Sequence, residues 1–176
     1  GVEGDIVECG VASGASLFAQ ALFLEHKQPR RTIYGFDSFE GLPEISAEDD
    51  PEVNSQAKFK GKFAQYNMES VIARLVSSGI PEEYVDRHIR LVKGWFSETL
   101  PGFDQPIALL HIDVDLYQSY LDVLENLYPK VSSGGVVAFD EYHDALWVGA
   151  TKAIHEFFGD SVEIRESDVT PGKYYV

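Results

Sequence analysis

Two carboxylates one residue apart, Asp113 and Asp115, close an apolar run, Leu109-Leu110-His111-Ile112. Residues 107–112 show no polar alternation, the pattern of a strand buried on both faces. From Tyr117 onward the pattern turns helical, with Tyr120, Val123, Leu124, Leu127 and Tyr128 on one face. The pair therefore falls at the carboxyl end of a parallel strand, where open α/β sheets bind ligands. Paired carboxylates there can take a proton or hold a metal ion. The plainer alternatives are that Asp115 caps the following helix and Asp113 is a solvated turn residue.

Three further apolar strands also end in acids: Glu8, Asp37 and Asp140, the last followed by Glu141. In a parallel sheet these ends share one edge, and carboxylates gathered there repel one another unless cations neutralise them. A hard divalent metal between Asp113, Asp140 and Glu141 would do so; oxygen ligands favour magnesium, calcium or manganese over zinc. A positively charged cofactor nearer Glu8 and Asp37 would also do so. S-adenosylmethionine has the required ribose, ammonium and sulfonium.

The elements that must position these groups follow in order. Asp5-Ile6-Val7-Glu8-Cys9 is a strand, Gly10 to Ser16 a glycine-rich turn, and a helix carrying Leu17, Phe18, Ala21 and Leu22 comes next. The Gly10–Gly14 spacing is neither that of dinucleotide folds nor that of the phosphate loop, and the turn has no basic residue. Glu8 beside it disfavours a phosphate and suits a cationic or hydroxyl-bearing ligand. The second strand ends at Asp37, 23 residues after Gly14, in the place of the acid that holds ribose hydroxyls in nucleotide-binding α/β folds. Its plain alternative is a turn acid.

Residues 44–66 show little periodicity, start acidic and end with Phe59, Phe63 and Tyr66; they are expected to form a lid or insertion loop. Residues 68–78 form a helix with Val71, Ile72, Leu75 and Val76 inward, and residues 88–93 a third strand. After it, Trp95 or Phe96 flanks an adenine ring or belongs to the core. The Asp113 strand is the fourth, and its His111 reads as a satisfied buried histidine rather than a ligand. Residues 136–139 lead to Asp140, a helix with Trp147, Ala150, Ala153, Ile154 and Phe157 inward follows, and residues 161–165 and 173–176 look like two short antiparallel strands.

The 176 residues suffice for one domain with a real core, and alternating strands and helices make it α/β. With 14 basic and 29 acidic residues the formal net charge is −15, so nucleic acid is not an expected partner. No stretch is apolar and long enough to span a membrane. The single cysteine, Cys9, excludes an internal disulfide, fits a reducing, cytoplasmic compartment, and reads as a small core residue. The chain begins at Gly1 rather than Met and shows no signal peptide, which leaves room for an N-terminal extension.

Five pieces resemble the macrocin O-methyltransferase family of class I S-adenosylmethionine-dependent methyltransferases. They are Val7-Glu8-Cys9-Gly10-Val11 with Gly14; Phe36-Asp37-Ser38-Phe39-Glu40-Gly41-Leu42-Pro43; Lys93-Gly94-Trp95-Phe96 with Thr99-Leu100-Pro101; His111-Ile112-Asp113-Val114-Asp115-Leu116-Tyr117; and Gly134-Gly135-Val136-Val137 with Asp140. The second and fourth are the specific ones. The resemblance implies a Rossmann-like, mostly parallel seven-stranded sheet with an antiparallel last strand and helices on both faces, in one domain over residues 1–176. It implies a cofactor site of Glu8, Gly10, Gly14, Ser16, Asp37, Ser38, Phe39, Gly94, Trp95 and Asp113, with Asp37 on the ribose and Ser38, Gly94 and Trp95 along the adenine. It implies magnesium held by Asp113, Asp140 and Glu141, and Asp115 as general base. Relatives commonly carry two aspartates where this chain has Asp140-Glu141. The acceptor is expected to be a hydroxyl of a sugar or natural product, and a homo-oligomer fits relatives that form dimers or larger assemblies. Two other readings stay open: a metal-dependent glycosyltransferase, whose Asp-x-Asp binds a nucleotide sugar, and a cofactor-binding module without catalysis.

Overall fold

The computed structural model describes residues 1–27, 31–49 and 60–176. Five parallel strands carry the site: β1 (Asp5–Cys9), β2 (Ile33–Asp37), β3 (Ile89–Lys93), β4 (Ile107–Ile112) and β5 (Val131–Phe139). Two short strands, β6 (Arg165–Glu166) and β7 (Tyr174–Tyr175), complete a seven-stranded sheet in the order β3-β2-β1-β4-β5-β7-β6. Only β7 runs against the rest, pairing antiparallel with both β5 and β6. The chain winds outward from β1 through β2 to β3, then returns to place β4 on the other side of β1. That reversal opens a crevice at the carboxyl ends of β1 and β4.

Alternate strand residues face opposite layers. Ile6 joins Ile33 and Ile89 under α1 (Ala15–Lys27), α2 (Met68–Ser77) and α3 (Glu82–His88). Val7, Cys9, Leu110 and Ile112 join the opposite layer, beneath α4 (Phe96–Thr99), α5 (Tyr117–Leu127) and α6 (Val148–Phe158). Each fully buried Leu or Ile contributes about 2 kcal/mol, which is why the apolar runs become the central strands. Cys9 is fully buried, as a core residue should be. No helix among the described residues is long and apolar enough to cross a membrane.

Some expectations move. In α1 the buried positions are Leu17, Ala21 and Leu24, whereas Leu22 is 43 % exposed. In α2, Val71 and Leu75 are buried but Val76 faces outward. Residues 82–88 are helical, not a connection: Glu82 and Glu83 sit in the first turn and Arg87 and His88 in the last, each matching the helix dipole. The last two strands are two residues each, shorter than the sequence suggests. Of the expected lid, 50–59 lie outside the described residues. Its later arm is joined to the residue leading into it, Leu42 N–H donating to Lys62 O at 3.0 Å and Gly61 N–H to Leu42 O at 2.9 Å.

Candidate active site

Each strand exit is tied to its neighbour by one more backbone bond. Gly10 N–H donates to Phe36 O (2.9 Å), Gly94 N–H to Asp37 O (3.0 Å), Asp113 N–H to Cys9 O (3.0 Å) and Asp140 N–H to Ile112 O (3.0 Å). The glycines and acids named from the sequence therefore stand along one edge, fixed by the sheet itself. Gly10 has φ +89°, and a Cβ there would lie 1.7 Å from Asp113 O. Its bareness lets β1 and β4 close on each other.

Asp37 joins the two nearest loops. Its Oδ2 accepts Ala12 N–H at 2.8 Å and its Oδ1 accepts Phe39 N–H at 2.7 Å. Each oxygen keeps a second lone pair for a hydroxyl. Glu8 is fully buried beneath the turn, accepting Ser16 Oγ–H at 2.8 Å and the Gln20 amide at 2.5 Å.

Above this floor lies a cleft of about 230 Å³. It is lined by Gly10, Ala12, Asp37, Ser38, Gly94, Trp95 and Phe96, by Asp113, Asp115 and Ser119, by Leu42 and Pro43 just before the insertion, and by Lys62 and Phe63 within it. Of the expected cofactor residues, Gly10, Asp37, Ser38, Gly94, Trp95 and Asp113 face the cleft. Glu8 and Ser16 support it through a hydrogen bond from below, and Gly14, at φ +76°, leaves the space in which a Cβ would meet Val71 on α2. Phe39 is buried in the layer of α1 and α2 and reaches the site only through its N–H.

The acids occupy three different environments. Asp115 sits at φ +62°, a left-handed conformation that Asp and Asn tolerate better than most residues. Burial and then the neighbouring Asp113 charge push its pKa up to about 7, against an opposing pull from Lys62. Glu141 points inward, with the Tyr120 hydroxyl 2.5 Å from its Oε2. It shares a hydrogen bond with Asp113; burial and the Asp113 charge drive its pKa well up, and burial raises that of Asp113 too, so the pair shares a proton. Asp140 pairs instead with Lys173, whose Nζ is 2.5 Å from Oδ1 and 3.2 Å from the backbone O.

The donor atoms brought within 4.8 Å of one another are those of His111, Asp113 and Asp140. Asp113 and Asp140 thus meet as expected, with His111 rather than Glu141 as the third member of that group. Among the described residues, His111 Nδ1 is buried with no hydrogen-bond partner, at 3.6 Å from Glu8 Oε2. The ring is largely buried, as expected from the sequence, with Glu8 as its ionic neighbour rather than a close hydrogen-bond partner. Burial pulls its pKa down, but Glu8, Asp113 and Asp140 together outweigh that and raise it. With the imidazole the donor set suits a first-row transition metal; the two carboxylates without it suit a hard cation such as magnesium. The signal for His111 was present: it lies two residues before Asp113, on the same strand face. Lys62 and Tyr120 had no sequence signal.

The profile of the macrocin O-methyltransferase family matches residues 1–167. The chain is 37 % identical over 179 residues to 8-demethyl-8-(2,3-dimethoxy-α-L-rhamnosyl)-tetracenomycin-C 4'-O-methyltransferase of Streptomyces olivaceus, covering 97 % of this chain and 65 % of that protein. It is 31 % identical over 173 residues to mycinamicin III 3''-O-methyltransferase of Micromonospora griseorubida, covering 96 % and 66 %. The chain thus spans just under two thirds of the length of these relatives. The crystal structure of CalS11, a calicheamicin methyltransferase, superposes with a TM-score of 0.82 at 30 % identity, over 99 % of this chain and 72 % of that one.

Proposed function

We propose that this chain, which belongs to the macrocin O-methyltransferase family, transfers the methyl group of S-adenosylmethionine to a sugar hydroxyl of a natural product. The observation that carries this is that one cleft is lined by Asp37 together with Asp113 and Asp115. Asp37 accepts the ribose hydroxyls on the lone pairs left free by Ala12 and Phe39. Ser38, Gly94 and Trp95 border the adenine. Lys62 and Phe63 bring the insertion to the mouth, where it acts as a lid over the acceptor.

Asp115 takes the proton from the acceptor hydroxyl. A base with pKa near the working pH is ionised often enough to act and still holds a proton well. Asp113 and Asp140 would hold a divalent cation, magnesium in the family resemblance, with His111 close enough to be its third donor. Glu141 joins them only on giving up the proton it shares with Asp113 and the Tyr120 contact. When bound, the cation makes the acceptor hydroxyl more acidic. Alignment in the cleft lowers the barrier further, since oriented reactants reach effective molarities of about 10⁵ M or more. The acceptor class rests on the two relatives, one named for a rhamnosyl-tetracenomycin and the other for mycinamicin III.

The test is calorimetric titration with S-adenosylhomocysteine, with and without magnesium, followed by methyl transfer to a panel of rhamnosyl glycosides. Micromolar S-adenosylhomocysteine binding and turnover of one glycoside are expected. No such binding, with a uridine diphosphate sugar binding instead, overturns the reading in favour of a glycosyltransferase. In the same assay Asp113→Ala should lower magnesium-dependent turnover by about 10²-fold or more, the loss of several kcal/mol of electrostatic stabilisation. Its S-adenosylhomocysteine affinity should change only a few-fold. Full activity in that variant would place the cation elsewhere.

A further inference from the structure

The helix that follows the reacting carboxylates is capped from outside. Helix α5 starts at Tyr117, and its N-cap residue Leu116 supplies no side-chain acceptor. The orphan N–H of Tyr117 is met instead by Asp49 Oδ1, at 2.8 Å, from 68 residues earlier in the chain. Asp49 belongs to the insertion, in a single 3₁₀ turn, Ala47–Asp49. It is 2 % exposed, an uncommon burial for a carboxylate. Its other oxygen accepts Ser46 N–H and Ser46 Oγ–H, both at 2.9 Å, so the carboxylate is held from its own side as well.

The neighbouring helix leaves room for it. A Cβ at Gly149 on α6 would lie 2.0 Å from Asp49 Oδ1. Lys152 on α6 stands 3.9 Å from Glu48 Oε1, and its Nζ lies 5.5 Å from the Tyr117 ring centre. Asp49 is therefore wedged between α5 and α6 and bonded to the first turn of α5.

The turn of Asp113 and Asp115 runs directly into that first turn. Asp113 N–H ties its start to Cys9 O, and Val114 and Leu116 are buried in the core; between them Asp115 is left-handed, and Leu116 N–H reaches back to Val114 O at 2.6 Å. Fixing Tyr117 N–H fixes where this turn ends. The insertion that carries Asp49 also sends Lys62 and Phe63 to the cleft, beside Leu42 and Pro43 that lead into it.

We infer that Asp49 is a positioning residue, tying the docked insertion to the placement of Asp113 and Asp115. This rests on the reading of those two residues as the reacting carboxylates. It gives the insertion a second task besides lining the cleft.

Asp49→Ala and Asp49→Asn test it, with the folded fraction of each set by thermal melting. In Asp49→Ala, amide exchange at 113–117 should speed up at least tenfold. Its kcat per folded molecule should fall at least tenfold, with S-adenosylhomocysteine affinity kept within twofold. Asp49→Asn keeps an acceptor for Tyr117 N–H and should recover most of both losses. A merely structural residue would lower the melting temperature and leave kcat per folded molecule unchanged, and that result overturns the inference. Unchanged exchange at 113–117 overturns it too. If the wild type methylates no glycoside, the functional reading fails by itself, and the exchange at 113–117 still decides whether Asp49 holds the turn.

Discussion

Asp115→Asn is expected to abolish methyl transfer and at the same time to stabilise the folded chain above neutral pH. The substitution is close to isosteric, and Asn accepts the φ of +62° as readily as Asp does. What it removes is a charge that the fold disfavours. Burial, and then Asp113, raise the folded pKa of Asp115 to about 7. In the unfolded chain the group titrates near 4. Between those values the folded state holds a proton that the unfolded state has released, so stability falls as pH rises from about 4 to about 7. Three pH units of mismatch correspond to about 4 kcal/mol at most, lost in full above pH 7. The Asn variant has nothing to ionise and avoids the loss. Its advantage in urea melts should therefore be near zero at pH 4 and grow to a plateau above pH 7. Turnover should drop by about 10²–10⁴-fold, the usual contribution of a positioned base. A stability difference that stayed flat with pH would show that Asp115 is not strained by its charge. Unchanged turnover would remove it as the base.

The same residue shows what the sequence makes legible. Asp115, Asp113, Asp37 and Asp140 were readable because each closes an apolar run, and burial of the run fixes where it stops. The parallel sheet followed from those runs and the helical patterns between them. Helix α3 was missed because seven residues with only Tyr84 and Val85 buried give no periodicity to read. Strands β6 and β7 owe their two-residue lengths to pairing at the sheet edge, not to local pattern. In α1, Leu17, Ala21 and Leu24 share the i, i+4, i+7 face that packs on the sheet, and Leu22 lies on nearly the opposite side. The inward turn of Glu141 depends on Tyr120, 21 residues away, and no local signal carries it. Asp49 and Lys62 lie in a segment without periodicity, and their importance arises only once the insertion docks.

The charge balance of the acidic edge was legible in kind and not in detail. The sequence requires that gathered carboxylates be neutralised. Among the described residues, the chain does part of this itself by three separate means. Lys173 pairs with Asp140, a proton is shared between Glu141 and Asp113, and His111 stands beside Glu8. Asp115 has only the partial pull of Lys62 against burial and Asp113. Its pKa of about 7 lets its proton exchange near neutral pH, which is what a base in this cleft needs.

Gly10→Ala separates two meanings of the glycine turn. If Gly10 is bare so that a ligand can approach, the added methyl should cost S-adenosylhomocysteine binding and leave the fold intact. The geometry says otherwise. The new Cβ would lie 1.7 Å from Asp113 O, a backbone atom that no rotamer change can move aside. Relief requires the ends of β1 and β4 to part. That stretches Asp113 N–H from Cys9 O and Gly10 N–H from Phe36 O, and shifts the turn whose Ala12 N–H holds Asp37. The left-handed φ of +89° adds about 1–2 kcal/mol for any residue with a Cβ. A loss above about 3 kcal/mol is expected in urea melts, within the range reserved for core and backbone disruption. Binding of S-adenosylhomocysteine should disappear with it. Gly14→Ala is the control: it shares a positive φ, +76°, but its Cβ meets the Val71 side chain at 2.8 Å, which can yield. That variant should lose less stability and keep measurable binding. A Gly10→Ala protein as stable as the wild type, deficient in binding alone, would restore the ligand as the reason for the glycine. Loss of both, with Gly14→Ala milder, means that the chain's own β4 exit is what first requires Gly10 to be bare, and that cofactor site and reacting carboxylates are set by one contact.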